Sequence, residues 1–238
     1  NSQFTETDTR NTFYYDGTSW QQPTFENMYE VFGSPKAKNR QHFVEWFSGK
    51  QLPSYWEYNL ANGTGGGAMA DSVDGGYELT STATGGTSES IVTFNDKRQF
   101  SHSGATFICV AKSTTVNNAL SVMETRGGFK HEDHVLFGSQ QHAGFKTNTG
   151  NVNFKAYTAS GSGTIAVDTG VYHDSAWHVW KGELKPVSFD LALDGIHRTT
   201  TTTYLPTVKL QPYLYHYGYQ PLAGSSTSSF RYYEAYNT

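Results

Sequence analysis

The run Tyr213-Leu214-Tyr215-His216-Tyr217-Gly218-Tyr219 carries a phenol at every second position. On an extended strand that spacing lines up all four rings on one face. Aromatic faces stack on sugar rings and phenol hydroxyls hydrogen-bond them, so an exposed stripe of Tyr213, Tyr215, Tyr217 and Tyr219 suits a glycan or a partner protein. The same residues also fit a second arrangement, with Tyr213 and Tyr215 in an inter-sheet core and Tyr217 and Tyr219, beside Gly218 and Pro221, in a more available loop.

A second group with chemical potential is His131-Glu132-Asp133-His134, with His142 close in sequence. Two histidines three apart suit a helix face better than a strand, and neither a His-Glu-x-x-His motif nor a second ligand group accompanies them. The run reads as a solvated loop, and no metal or cofactor is expected. Among the carboxylates, Glu132 and Asp133 are adjacent and point to opposite faces of a strand, whereas Asp190 and Asp194 share a parity but Asp194 belongs to an Asp-Gly turn. A lyase acting on uronates needs a Tyr or His base beside a neutralising Arg or Lys, and Tyr and His are too common here for that requirement to discriminate. The run Gly63-Thr64-Gly65-Gly66-Gly67 lacks the Gly-Lys-Ser/Thr ending and the following helix of a phosphate loop, and is read as a flexible turn.

Strands must position these residues. With 24 Gly, 16 Tyr, 15 Phe and 5 Trp in 238 residues, the usage is that of pleated surfaces and tight turns, and helices should be few. Charged residues make up only 16 % of the chain, below the ~25 % of an average domain, and the net charge is −4, which weighs against a nucleic-acid partner. No apolar run reaches the ~18 residues of a membrane span, so no membrane insertion is expected. The opening Asn1 to Glu6 has neither a basic flank nor an apolar core, so no signal peptide is expected there. One cysteine, Cys109, excludes a disulfide within the chain and is expected to be a buried, inert thiol.

Along the chain, Phe13-Tyr14-Tyr15, Asp16-Gly17 and Thr18-Ser19-Trp20 read as a hairpin, because Gly tolerates the positive φ of a two-residue turn. Glu26 to Phe32 reads as a short helix inside a connector. From His42 onward short strands follow one another, with Ala105 to Ala111 apolar on both parities, as in a central strand covered on both faces. Such spacing without crossover helices means a sandwich or barrel. Trp180, Leu184, Leu191, Leu193, Phe107 and Cys109 are the expected core.

Trp177-His178-Val179-Trp180-Lys181-Gly182-Glu183-Leu184, the Lys185-Pro186 turn and Phe189 to Gly195 resemble the paired strands of concanavalin A-like lectin/glucanase folds. In those folds a strand opening Trp-His leads through a turn to an apolar strand ending in Asp-Gly. The closing strand Phe230 to Tyr236 is similar to their terminal strand. The resemblance implies an all-β, two-sheet antiparallel jelly-roll sandwich. For retaining glycosidases of this fold it also implies two Glu flanking an Asp on one strand, in a Glu-x-Asp-x-x-Glu spacing. No such run is present, so a chain that is not an enzyme is expected. A hydrolase built from carboxylates on different strands, or a lyase, is the alternative.

Phe4-Thr5-Glu6-Thr7-Asp8-Thr9-Arg10, followed by Tyr14 to Trp20, resembles short hairpin modules of phage tail, fibre and head appendage proteins. That resemblance implies a virion surface protein, for capsid or tail decoration and host attachment, with other virion proteins and host surface glycans as partners. The expected organisation is an assembly segment over residues 1–22, a connector over 23–41 and the sandwich over 42–238. A lone hairpin is marginal in water, so Phe13, Tyr14, Tyr15 and Trp20 are expected to bury against a second copy in a homo-oligomer.

Overall fold

The computed structural model describes residues 3–5, 12–15, 20–21, 42–48, 51–70, 76–81, 86–113, 122–132, 140–148, 151–220 and 226–238. The chain forms two compact units, residues 1–39 and 40–238. In the first, β1 (Gln3–Thr5), β2 (Thr12–Tyr15) and β3 (Trp20–Gln21) make a small antiparallel sheet in that order. Tyr15 pairs with Trp20 and Tyr14 with Gln21, so the expected hairpin is present, but its register leaves the four residues 16–19, which lie outside the described residues, between the strands and not the two-residue turn expected at Asp16-Gly17. Phe13, Tyr14 and Tyr15 are on β2 and Trp20 opens β3. The short helix expected at Glu26 to Phe32 lies outside the described residues.

The second unit is the two-sheet antiparallel sandwich. One sheet has seven strands, β13 (Gly163–Tyr172), β12 (Asn151–Ser160), β11 (His142–Asn148), β10 (Val122–Lys130), β17 (Gln211–Gln220), β8 (Gly86–Thr93) and β5 (Glu57–Asn62), in that spatial order. The other runs β16 (Ile196–Thr201), β15 (Ser188–Leu193), β14 (His178–Lys185), β9 (Ala105–Ser113), β18 (Ser226–Asn237), β7 (Tyr77–Ser81) and β6 (Gly65–Met69), with β4 (His42–Trp46) paired to the second half of β18. No helix occurs among the described residues.

Period-two patterning builds the core. His178, Trp180, Gly182 and Leu184 point inward along β14, and Phe189, Leu191 and Leu193 do so along β15. All six residues expected in the core are buried there. Trp180 stacks on Phe145 of the facing sheet at 4.4 Å, which fixes the distance between the layers. Opposite them, Gly182 is required by its neighbours: a Cβ there would lie 2.2 Å from the Phe107 ring and 2.8 Å from Phe189. Burial pushes the Cys109 thiol well above its usual value, in keeping with an inert role.

Three readings are corrected. The glycine-rich run is not wholly a turn, because Gly65 to Met69 pair with β7 as strand β6. Strand β9 is covered on both faces only at its start: Ala105, Thr106 and Phe107 are all buried, and from Phe107 to Ser113 buried and half-buried residues alternate. Strand β17 continues through Tyr217 and Tyr219 to Gln220, where a loop was expected.

A polar seam crosses this core. His216 on β17 meets Ser228 Oγ at 2.7 Å and Ser226 Oγ at 3.0 Å, both on β18, while Thr125 on β10 also reaches Ser228 and Ser81 reaches Ser226. Burial lowers His216 from 6.5 to about 3, so it is neutral in the folded protein. Between those pH values the unfolded chain binds a proton that the folded chain refuses. This contribution to stability is therefore fully present above pH 6.5 and is lost as pH falls toward 3, with a slope of up to about 1.4 kcal/mol per pH unit. Urea titrations between these limits should show a shallower pH dependence in H216Q than in the natural protein.

Candidate active site

Strand β10 sends Thr125 and Phe129 inward, one to Ser228 and the other into the core. The intervening Glu124, Arg126, Gly128 and Lys130 therefore occupy the opposite face of the seven-stranded sheet. The same parity argument on β17 turns Leu214 and His216 inward and places Tyr213, Tyr215 and Tyr217 beside the β10 residues. Strand β11 adds His142, Gly144 and Lys146, strand β12 adds Lys155 and Tyr157, and strand β8 adds Glu89 and Ile91.

Register arranges these side chains in transverse rows. One row is Glu124, Tyr217 and Glu89 across β10, β17 and β8. The next is Lys155, Lys146, Arg126, Tyr215 and Ile91 across β12, β11, β10, β17 and β8. The third is Tyr157, Gly144, Gly128 and Tyr213. In this row the paired glycines set the floor between two tyrosines. Gly128 has φ +144, and a Cβ on it would lie 2.4 Å from the Ala143 carbonyl oxygen, so a side chain there is strained as well as crowded.

Glu124 is the electrostatic centre of the face. Arg126 donates to its Oε2 from Nε at 3.0 Å and from Nη2, and Lys146 Nζ donates to Oε1 at 2.7 Å. The Arg126 guanidinium also lies 4.8 Å from the Tyr157 ring and 4.9 Å from the Tyr215 ring, with Lys146 Nζ 5.2 Å from Tyr157. Burial alone would raise the Glu124 carboxyl, but the charges of Arg126 and Lys146 outweigh it and hold Glu124 below its usual value. Glu89 moves the other way: burial raises it more than the Tyr215 hydrogen bond, at 3.1 Å, and the Arg126 charge lower it. His142 stacks against Tyr157 at 4.3 Å and donates from Nδ1 to the Gln140 carbonyl at 3.0 Å. Burial and the nearby Arg126 keep it neutral.

The structure resolves the two arrangements of the tyrosine run. Tyr213, Tyr215 and Tyr217 do share one face, yet Tyr213 and Tyr215 are not in the inter-sheet core; they are buried on the outer face with Ile91 as a small cluster of their own. Tyr217 is half-buried on the strand, and the backbone of Tyr219 continues the same parity. Glu89, Glu124, Arg126, Lys146 and Tyr157 were missed as a group because they come from four strands. The legible signals were the alternation Glu124-Thr125-Arg126 and a lysine at the outward parity of both Gly144-Phe145-Lys146 and Phe154-Lys155-Ala156-Tyr157.

The other groups lie elsewhere. His131 Nδ1 donates to the Lys209 carbonyl at 2.8 Å, which ties β10's end to the approach of β17, while Asp133 and His134 lie outside the described residues. Asp190 bonds Lys185 and Thr200 on the eight-stranded sheet. His178, clamped by Asp194 and Asp174 at 2.8 Å each, fastens two turns. Burial opposes its charge, but the two aspartates prevail and raise it above its usual value.

No protein-family model matches the chain, and no curated protein matches it in sequence. Solved structures do match. A β-glucanase from Bacillus licheniformis superposes with a TM-score of 0.56 at 12 % identity, covering 84 % of this chain and all of that one. A Bacteroides ovatus mixed-linkage glucan protein of glycoside hydrolase family 16, bound to product, gives 0.58 at 9 % identity, covering 80 % and 98 %. A pseudo β-1,3-glucanase of Mycobacterium tuberculosis gives 0.56 at 16 % identity, covering 82 % and 98 %. These likenesses establish the concanavalin A-like jelly-roll fold. They also contradict the expectation that the chain is not an enzyme, since the neighbours are mostly glycoside hydrolases by name. The expectation rested on the absence of an acidic triplet within one strand; the alternative, carboxylates from different strands, is the arrangement that Glu124 on β10 and Glu89 on β8 offer.

Removing Arg126 takes away one of the two cations described beside the buried Glu124 carboxylate. R126M should destabilise the fold by about 3 kcal/mol in denaturant titration, as for other broken buried pairs. It should also move the Glu124 carboxyl upward when followed by NMR. K146M, whose ammonium is more exposed, should cost about 1 kcal/mol or less.

Proposed function

We propose that this protein is a polysaccharide-degrading enzyme that cleaves glycosidic bonds on the outer face of the seven-stranded sheet. The observation that carries the reading is the pair Glu124 and Glu89, two carboxyls in one row whose environments push them in opposite directions. That separation is how an acid and a base are assigned within one site. Glu89, kept protonated longer by burial, donates the proton to the leaving oxygen. Glu124, ionised by its cations, activates water or stabilises the cationic sugar ring.

Two strand spacings, about 9.6 Å between backbones, separate the pair. Tyr217, half-buried, stands between them in the row and is placed to stack on or hydrogen-bond a sugar, while the buried Tyr215 holds Glu89. A lyase fits less well. Burial drives the Tyr213 and Tyr215 hydroxyls upward despite the Arg126 charge, and a phenol so shifted is a poor candidate for the ionised base.

The resemblance of the first residues to appendage hairpins supports a place of action: the surface of a virion, with residues 1–22 joining the enzyme to a second copy or to other virion proteins. Deleting Asn1 to Gln22 should then convert an oligomer into a monomer of unchanged circular dichroism. A full chain that is already monomeric at micromolar concentration would remove this part of the reading.

Assays with neutral and acidic polysaccharides should release new reducing ends. Glu124 must be ionised and Glu89 protonated, so the rate falls at low pH as Glu124 takes a proton below its usual range. It falls at high pH as Glu89 loses one above its usual range. E89Q should lower kcat by about a hundredfold or more while near-UV circular dichroism is retained, whereas E124Q should lower both activity and stability, because it also takes the shared carboxylate from Arg126 and Lys146. Unchanged cleavage by E89Q would defeat the assignment.

A further inference from the structure

The Glu89 carboxyl, half-buried on β8, accepts at Oε2 from the Tyr215 hydroxyl at 3.1 Å. Tyr215 stands one strand over, in register with Ile91. Its ring is buried with Tyr213 and Ile91, and the Arg126 guanidinium lies 4.9 Å from the ring centre. Glu124 fixes Arg126 in turn, accepting at Oε2 from its Nε at 3.0 Å. A chain of contacts therefore runs from Glu124 through Arg126 and Tyr215 to Glu89, joining one carboxyl of the pair to the other. Burial raises the Tyr215 hydroxyl above its usual value, so it keeps its proton and donates. The other charges that bear on Glu89 come from β10: Arg126 and Lys130 favour its ionised form and Glu124 opposes it. Its register partners are Tyr217 on β17 and Asn62 on β5.

We propose that Tyr215 is a positioning residue for the acid: by donating to Oε2 it holds the Glu89 carboxyl in one orientation and leaves the transferable proton on Oε1, while Arg126 keeps the phenol aimed. The inference rests on Glu89 being the acid and adds what orients and strengthens it. In the transfer the Oε1–H bond breaks and the proton joins the glycosidic oxygen, which keeps the electron pair of the breaking carbon–oxygen bond. The negative charge left on Glu89 is shared with Oε2, where the Tyr215 hydrogen bond meets it. Hydrogen bonds to an ionised acceptor are roughly twice as strong as those between neutral groups. Tyr215 therefore favours the transition state over the bound substrate and acts on kcat. Being buried, it leaves KM to the residues that touch the sugar.

The test is Y215F in the full chain, which keeps the ring and removes the hydroxyl. Without substrate, the Glu89 carboxyl followed by carbon NMR should titrate about one pH unit higher than in the natural protein, because a hydrogen bond that favours its ionised form is gone. With polysaccharide, kcat should fall about tenfold while KM stays within about twofold, and the basic limb of the rate profile should move up with the Glu89 titration. A second measurement needs no substitution at Tyr215 to fold: with tyrosines labelled at the hydroxyl-bearing carbon, the Tyr215 resonance should shift with the Glu89 midpoint, and E89Q should flatten that response. A Glu89 titration that Y215F leaves in place, or a Tyr215 resonance that ignores Glu89, overturns the proposal. Should Glu89 shift as expected while the natural protein cleaves no polysaccharide, the enzymatic reading fails and the hold of Tyr215 on the carboxyl survives. Should Glu89 shift while the basic limb stays in place, Glu89 is not the acid, and that assignment fails instead.

Discussion

Burying Arg126 and Lys146 beside three tyrosines is tolerable because Glu124 accepts from both. Each charge alone would meet the desolvation penalty of a low-dielectric surface, and each cation repels the other. One carboxylate between them offsets most of that cost and fixes both long side chains, leaving the guanidinium between the Tyr157 and Tyr215 rings. The electrostatics of the remaining groups follow. Glu89 lies one strand beyond the tyrosines and is governed by burial, and His142 is kept neutral by burial and by the same cations.

This arrangement needs a stiff floor. Behind β10 and β17 the seam of Thr125, His216, Ser226 and Ser228 ties the seven-stranded sheet to β18, and Trp180 stacked on Phe145 sets the layer spacing nearby. The Tyr233 hydroxyl donates to the Gly128 carbonyl from the facing sheet, so the strained glycine under the site is held from below. A polar seam through an apolar core is costly unless every member is paired, and both imidazole nitrogens of His216 are. Specific register, rather than extra burial, is what such a seam contributes.

The fold by itself does not carry an activity, because one sandwich serves many. Here β10 reads Glu124, Arg126, Gly128 and Lys130 along its outer face, one carboxylate followed by cations and not an acidic run. The second carboxylate comes from β8. The departure explains why the strand pattern argued against an enzyme.

The sequence by itself determined the sandwich, since period-two apolar spacing and Gly-bounded strands leave few other ways to bury Trp180, Leu191 and Phe107. It also determined that Tyr213 and Tyr215 share a face, because alternation is a property of one strand, whereas only the structure showed that the strand continues through Tyr217. It could not decide which face. Leu214 and His216 are both inward, and a histidine on that parity looks like a surface residue until Ser226 and Ser228 appear opposite it. Nor could it bring Glu89 into the row of Glu124, or Lys155 against Lys146, because strand neighbours β8, β17, β10, β11 and β12 follow from topology and register. Charges from strands far apart in the chain meet only when the sheet closes its hydrogen bonds, so the chemistry of this face belongs to the tertiary structure.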